Sequence, residues 1–299
     1  ACWLTRIEDG EAKATRLQAQ SGFRCDEHQD DAYALYRRTA LARPEPASPC
    51  VAVDIDRAHP LQAMVGYGAA MTDSSAWVLA RLRQRNPALC AFVMRRLFSP
   101  EEGAGFSLVR VPMGASDYVA TTNYYTYCDA PSPDLSAFSV AHDLEYVVPA
   151  LREALALNPA LRVLASPWSA PAWMKTSGRL EGLSASEKSS GATNRLRPEC
   201  VPLYADYFVR FVEAYRAAGV PVWGVTLQNE PQFDGARYPC MRMDEADQIA
   251  LVRALGPKLA AKGLATRIFV HDHNWTLHPA DRKAVCGDAK LDPLASVLK

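Results

Sequence analysis

Apolar residues fall in short runs along the chain: "LQAMVGYG" (61–68), "FSLVRVPM" (106–113), "LRVLASPW" (161–168), "VWGVTLQN" (222–229) and "RIFVHDHN" (267–274). Runs of this length, rich in branched side chains and poor in strict alternation, predict strands buried on both faces, the pattern of a parallel sheet. Their starts lie 45, 55, 61 and 45 residues apart, which leaves room for a helix and a long loop after each strand. Helical patterns fill the gaps. Asn86 and Pro87 supply an N-cap and a first-turn proline to "ALCAFVMRRLF"; Pro202 opens "LYADYFVRFVEAYRAAG", which closes on Gly219. Asp244 caps "EADQIALVRALGPKLAAKG", which ends at Gly263, with Gly256 and Pro257 as a point where it can kink. Strands alternating with helices predict βαβ units. Residues 1–60 lack this rhythm: they read as irregular and end in the Pro-rich "ARPEPASPCVAVDID", where Val51, Val53 and Ile55 alternate. The expected division is therefore a small β element at 1–60, packed beside an α/β domain at 61–299.

The loops after the strand runs hold the unusual side chains. "GASDYVATTNYYTYCDAPSP" follows the second run and "SAPAWMKTSGRLEG" the third. In a (β/α)8 barrel the loops after the strands build the active site, and a doubly wound sheet obeys a related rule, so this distribution fits both. The first run lacks the glycine fingerprint of a dinucleotide fold, since "GYGAAMTD" supplies only its first two glycines. The fourth run stops at Asn229, Glu230 and Pro231. A carboxylate delivered there by a buried strand is partly stripped of water, which suits a group that must hold and release a proton. The plain alternative is a loop carboxylate facing solvent. Asp117, Trp168, Asp272 and Trp275 follow the other runs at the same end, so polar groups and indoles recur together. Indole faces cover the C–H faces of sugars while carboxylates and amides take the hydroxyls.

Composition narrows the partners. The 299 residues are 49% apolar and 22% charged, and 33 basic residues balance 33 acidic ones. No global field favours nucleic acid or an anionic membrane. No apolar run is long enough to span a bilayer, and the start "ACWLTRIEDG" has neither the charged nor the apolar region of a signal peptide. The eight cysteines form no CxxC pair and stand near no histidine ligand set, so neither a metal nor another cofactor is expected. Their even number fits an oxidising compartment, although Cys90 in "ALCAFVM" reads equally well as a buried thiol.

Four blocks, "GYGAAMTDSSA", "SPEEGAGFSLVRVPMGASDY", "LASPWSAPAWMKTSGRLEG" and "WGVTLQNEPQF", resemble the signature blocks of glycoside hydrolase family 30, in family order across roughly residues 50–275. The resemblance implies a (β/α)8 TIM barrel with a side β domain formed partly by N-terminal residues, and a retaining mechanism on β-glycosides. By motif, Glu230 matches the general acid/base and Asn229 the residue that contacts the sugar 2-hydroxyl. Asp117 and Trp168 match sugar-binding positions, Arg110 an arginine near the nucleophile, and Tyr238 in "RYPC" an aromatic lining the cleft; Asp272 is matched as a further substrate-binding residue. The family's best-known members are glucosylceramidases. The loop "DYVATTNYYTYCDAPSPDLSAFSV" looks closest to these, which implies cleavage of glucosylceramide to glucose and ceramide, a lysosomal or secreted setting and at most peripheral membrane contact. A β-1,6-glucanase or another β-glycosidase of the family is the alternative.

A retaining glycosidase needs two carboxyl groups about 5–5.5 Å apart. In the family the nucleophile is a glutamate at the end of the seventh strand, whereas five strand runs are counted here. After Glu230 the remaining glutamate is Glu245, at a helix start, and Asp281, Asp288 and Asp292 follow no strand-like run. The expectation is an incomplete barrel of about five βα units, half of a catalytic pair, with a non-catalytic sugar-binding fragment as the second reading.

Overall fold

The computed structural model describes residues 64–120, 123–235 and 237–273, together with the backbone of two strands near the N-terminus. The chain divides into two compact units, Ala1–Gln62 and Ala63–Lys299. In the first, β1 (Trp3–Glu8) and β2 (Glu11–Arg16) pair antiparallel, from Trp3 opposite Arg16 to Glu8 opposite Glu11. Residues 1–60 are thus not irregular throughout. Asp9 and Gly10 between the strands are a favoured pair for a two-residue hairpin loop, a local signal that stands out only when the window is short. The alternation at Val51, Val53 and Ile55 lies outside the described residues.

The second unit is a sheet of five parallel strands: β3 (Gly68–Ala70), β4 (Leu108–Pro112), β5 (Arg162–Ser166), β6 (Val222–Thr226) and β7 (Arg267–Phe269). They lie side by side in chain order. A doubly wound sheet reverses its strand order at a switch point, and no reversal occurs among these strands. Helices α1 (Asp73–Arg85) and α2 (Pro87–Phe98) follow β3, and α3 (Ala141–Glu145) and α4 (Val147–Leu157) follow β4. After β5 come α5 (Ala185–Ser189) and α6 (Val201–Ala217), and after β6 comes α7 (Glu245–Ala261).

The caps form where the sequence puts them. Asn86 accepts a hydrogen bond from the Leu89 amide at 3.0 Å, and Pro87 begins α2. Gly219 beyond α6 takes φ +83°, a conformation that costs glycine little. Four helices are not predicted from periodicity, α1, α3, α4 and α5. Of these, α1 carries arginines along an amphipathic face, and α4 follows the short α3 after a single residue, Tyr146.

The expectation of strands buried on both faces fails at the margins. β3 starts at Gly68, later than the run 61–68 suggests, and all three of its residues are exposed. Gly68 is required by close approach, because a Cβ there would stand 1.6 Å from the Leu108 carbonyl oxygen. β7 is also only partly covered, since both strands are outermost in the described sheet. In the middle strands Val109, Val111, Val163, Ala165 and Val225 are buried on one face. That core continues into α6, where Tyr204, Tyr207, Phe208, Phe211 and Tyr215 are all fully buried. At about 25 cal/mol per Å² of apolar surface, a row of buried aromatics makes α6 one of the main stabilising elements.

Candidate active site

Strand register sets the floor of the site. Ser166 at the end of β5 stands level with Pro112 of β4, and Arg110 lies two residues before Pro112, so Arg110, Ser166 and the matching Thr226 of β6 share one face. Arg110 Nη2 donates to Ser166 Oγ at 2.9 Å, to Asn229 Oδ1 at 2.7 Å and to Asp272 Oδ2 at 2.6 Å. The same Asp272 oxygen accepts from Ser166 Oγ at 2.9 Å and Thr226 Oγ1 at 2.8 Å. The guanidinium also lies over the Trp168 ring, 4.7 Å from its centroid. Arg110 is therefore paired in charge and stacked, the combination for which a planar guanidinium is suited and an ammonium is not.

Glu230 enters through its backbone. Its amide donates to the Asp272 carbonyl at 2.8 Å, and its carbonyl accepts from the Phe233 amide at 2.8 Å. The neighbouring Asn229 amide donates to the Pro167 carbonyl at 2.8 Å. Between these anchors Glu230 adopts φ +46°, a left-handed conformation that a side chain with a Cβ rarely takes. His271, two residues beyond β7, adopts φ +54°, and its amide is fixed by Gln248 Oε1 at 3.0 Å. Gln248 is a buried α7 side chain that also donates to the Met243 carbonyl. Gln228 likewise ties the ends of β5 and β6 together, since its Nε2 donates to the Trp168 carbonyl at 2.6 Å.

Tyr238 lines the same neighbourhood. Burial raises its phenol pKa, and the nearby Glu230 and Asp117 carboxylates push it the same way, which places all three in one electrostatic environment. Its ring faces Phe233, centroid to centroid 6.4 Å. Arg110, Trp168, Asn229 and Asp272 are thus joined by direct contacts. Glu230 is held by the Asp272 backbone, its carboxylate and that of Asp117 both act on the Tyr238 phenol, and Asp117 is exposed. Trp275 lies outside the described residues.

The site chain runs from 64 to 273. Over residues 64–293 the sequence matches the glycosyl hydrolase family 30 TIM-barrel domain. The chain belongs to that family. Its parallel sheet in chain order is accordingly part of a TIM barrel. Among similar proteins are an endo-1,6-β-D-glucanase of Aspergillus fumigatus, 35% identical over 71% of this chain and 44% of the relative, and the mouse lysosomal acid glucosylceramidase, 31% identical over 76% and 43%. A solved endo-β1,6-glucanase shares 33% identity and superposes with a TM-score of 0.64, covering 76% of this chain and 48% of its own. The chain spans about half the length of these relatives. Membership establishes a β-glycosidase lineage, and relatives of both substrate types occur within it.

Sequence reasoning passes over several groups in and around this family 30 site. Ser166 and Thr226 are hydroxyls that close the apolar runs "VLAS" and "GVT", and a strand-final Ser or Thr beside a site arginine is the signal that could have found them. Lys175 is fully buried. Its ammonium donates to Ser169 Oγ at 2.8 Å and to the Leu180 and Cys240 carbonyls at 2.9 Å each. Burial pulls its pKa down to about 7. A third set surrounds the loop after β4. Asp73, at the start of α1, accepts from the Ala120 amide at 2.7 Å and from Tyr146 at 2.7 Å, and lies 2.8 Å from His142 Nε2. Asp143 beside it accepts from the hydroxyls of Tyr125, Tyr127 and Tyr215. Among the described cysteines, Cys90, Cys128 and Cys200 are free thiols.

Proposed function

We propose that residues 64–273 form the acid/base half of a retaining β-glycosidase site acting on a β-glucoside. The observation that carries this reading is Glu230 at the end of β6, held in a strained backbone conformation beside an Asn229 that Arg110 and Asp272 fix in place. A backbone fixed this tightly suits a residue for proton transfer, which depends on distance and direction more than on affinity. In the first step Glu230 protonates the leaving glycosidic oxygen while a second carboxylate attacks the anomeric carbon; in the second, Glu230 takes the proton of the water that frees the sugar. The second carboxylate is proposed to come from outside residues 64–273. Asn229, Asp117 and Trp168 hold the glucosyl unit, Tyr238 flanks the leaving group, and Asp272 neutralises Arg110 so that the sugar meets a polar floor with its charge already paired.

The substrate favoured here is a β-1,6-glucan. Support comes from a recess lined by Arg237 and by residues 179–187, whose side chains are mainly charged and polar, and from the glucanases among the relatives. Glucosylceramide is the second reading, favoured by the partly exposed Phe233 and its contact with Tyr238, an apolar start to a leaving-group path. The test is hydrolysis by the whole protein of both substrates and of aryl β-glucosides. Glu230→Gln is expected to lower turnover of the polymer or lipid by about 10²–10⁴-fold while sparing bond cleavage in an aryl glucoside whose leaving group needs no proton. Equal losses on all substrates would remove the acid role from Glu230.

A further inference from the structure

The loops after β5 and β6 meet in a recess lined from residues 179–187 and by Gly235 and Arg237. Four charged side chains line it, Arg179, Glu181, Glu187 and Arg237, and Leu183 is its apolar contribution; with the part open to solvent it encloses about 920 Å³. The walls are joined by backbone contacts. The Leu183 amide donates to the Asp234 carbonyl at 2.8 Å, the Cys240 amide donates to the Leu180 carbonyl at 3.1 Å, and Glu181 bridges to Pro239. Lys188 pairs with Asp234 across the same seam.

Two of the four charges are oriented in advance. Arg179 Nη2 donates to Glu187 Oε2 at 2.8 Å and to the Gly182 carbonyl at 2.7 Å. The same carboxylate oxygen accepts from the Ser184 amide at 2.8 Å and hydroxyl at 2.7 Å. The side chains of Glu181 and Arg237 have no hydrogen-bonded partner among the described residues. One of these is an acceptor and the other a fork of donors, and a sugar hydroxyl is both a donor and an acceptor. The two cations and two anions cancel, so a charged ligand gains from one pair what it loses to the other. An acyl chain would find Leu183 and little else to cover it.

We infer that this recess is a distal subsite for a neutral polyhydroxylated chain, a β-linked glucan on its leaving-group side. Glu230 faces the leaving oxygen, Tyr238 stands beside Glu230, and the next residue back along the chain, Arg237, lines the recess, so the path from bond to subsite is one loop long. The subsite rests on the glucan reading above and deepens it: it makes affinity depend on chain length.

Binding of the β-1,6-linked di-, tri- and tetrasaccharides of glucose to this chain, followed by calorimetry and by NMR shifts, tests the inference. The affinity is expected to rise by about tenfold from the disaccharide to the tetrasaccharide, a step of about 1.4 kcal/mol. Glu181→Ala and Arg237→Ala are expected to remove that gain while leaving the disaccharide affinity and the melting temperature unchanged. If the disaccharide binds but the gain is absent, or survives both substitutions, the subsite is overturned and the glucoside site stands. If octyl β-glucoside binds and none of the oligosaccharides does, the glucan reading itself fails and takes the subsite with it.

Discussion

At the scale of single residues, the proposed acid/base Glu230 sits in a backbone conformation that its own side chain disfavours. Glu230 at φ +46° is over-determined by the Asp272 carbonyl and the Phe233 amide, and such a residue typically costs about 1–3 kcal/mol. Removing the side chain can therefore help the fold. Glu230→Gly is expected to be more stable than Glu230→Ala by about 1 kcal/mol, because only glycine adopts positive φ without a Cβ clash. Paired urea melts check this, and equal midpoints would mean that the conformation carries no strain. The tripeptide Asn229-Glu230-Pro231 is readable in the sequence as the end of a strand, and Arg110, Trp168 and Asp272 as groups at neighbouring strand ends. The hydroxyls of Ser166 and Thr226 are not, because their importance arises from lateral register, which brings side chains 60 residues apart to 2.6 Å and has no trace in local pattern.

At the scale of elements, the strands are legible because burial on the sheet demands branched apolar runs, and α2, α6 and α7 because their ends carry recognisable caps. The ends of the sheet are less so: β3 and β7 look in sequence like interior strands while their flanks are only partly covered in the described structure. Loop architecture is the least legible, since it hangs on isolated buried polar groups. Lys175 is the clearest of these, with all three of its hydrogen-bond partners on the loops after β5 and β6. Replacing it by methionine keeps the length but takes one of two donors from each carbonyl, since the Cys240 amide still donates to Leu180 and Asn194 Nδ2 to Cys240, and it removes the bond that Ser169 Oγ accepts. Lys175→Met is expected to cost about 2–4 kcal/mol and to open the seam between residues 180 and 240 to proteolysis before the sheet melts. Wild-type resistance in the variant would show that water replaces the ammonium without loss.

At the scale of the whole molecule, family membership explains why the strands run in chain order and why both outer flanks are apolar. One flank is lined by Met71, Val78, Leu79 and Phe106 and the other by Leu259, Leu264, Ile268 and Phe269, the surfaces that neighbouring βα units cover in a barrel. Global stability also has a titrating component. Burial lowers the His142 pKa, but its hydrogen bond and charge interaction with Asp73, helped by the charges of Asp143 and Glu145, outweigh burial and leave it raised above 6.5. Burial likewise raises the Asp73 pKa, and the bonds from His142, the Ala120 amide and Tyr146 reverse this and leave it lowered. A raised histidine contributes its full stabilisation below the unfolded value of 6.5 and loses it as the pH climbs through the folded one. Asp73 contributes above its unfolded value of 3.8 and loses the effect as the pH falls below. The pair is thus most stabilising between those limits. Melting temperatures measured across this range and up to about pH 9 should fall less steeply above pH 6.5 in His142→Gln than in the wild type, and parallel curves would dissociate His142 from the effect.

The Lys175 clamp also bears on how this protein could change over generations. Two of its three partners are main-chain oxygens, which every residue type supplies, so no hydrogen bond of the clamp is made by the side chains at 179, 181 and 237 that line the recess. A lineage could exchange the side chains at 181 and 237, which make no hydrogen bond among the described residues, and with them the molecules it accepts, while the clamp keeps its bonds. A mutagenesis library confined to these two positions would therefore yield mostly folded proteins, whereas the same diversity placed at 175 would not.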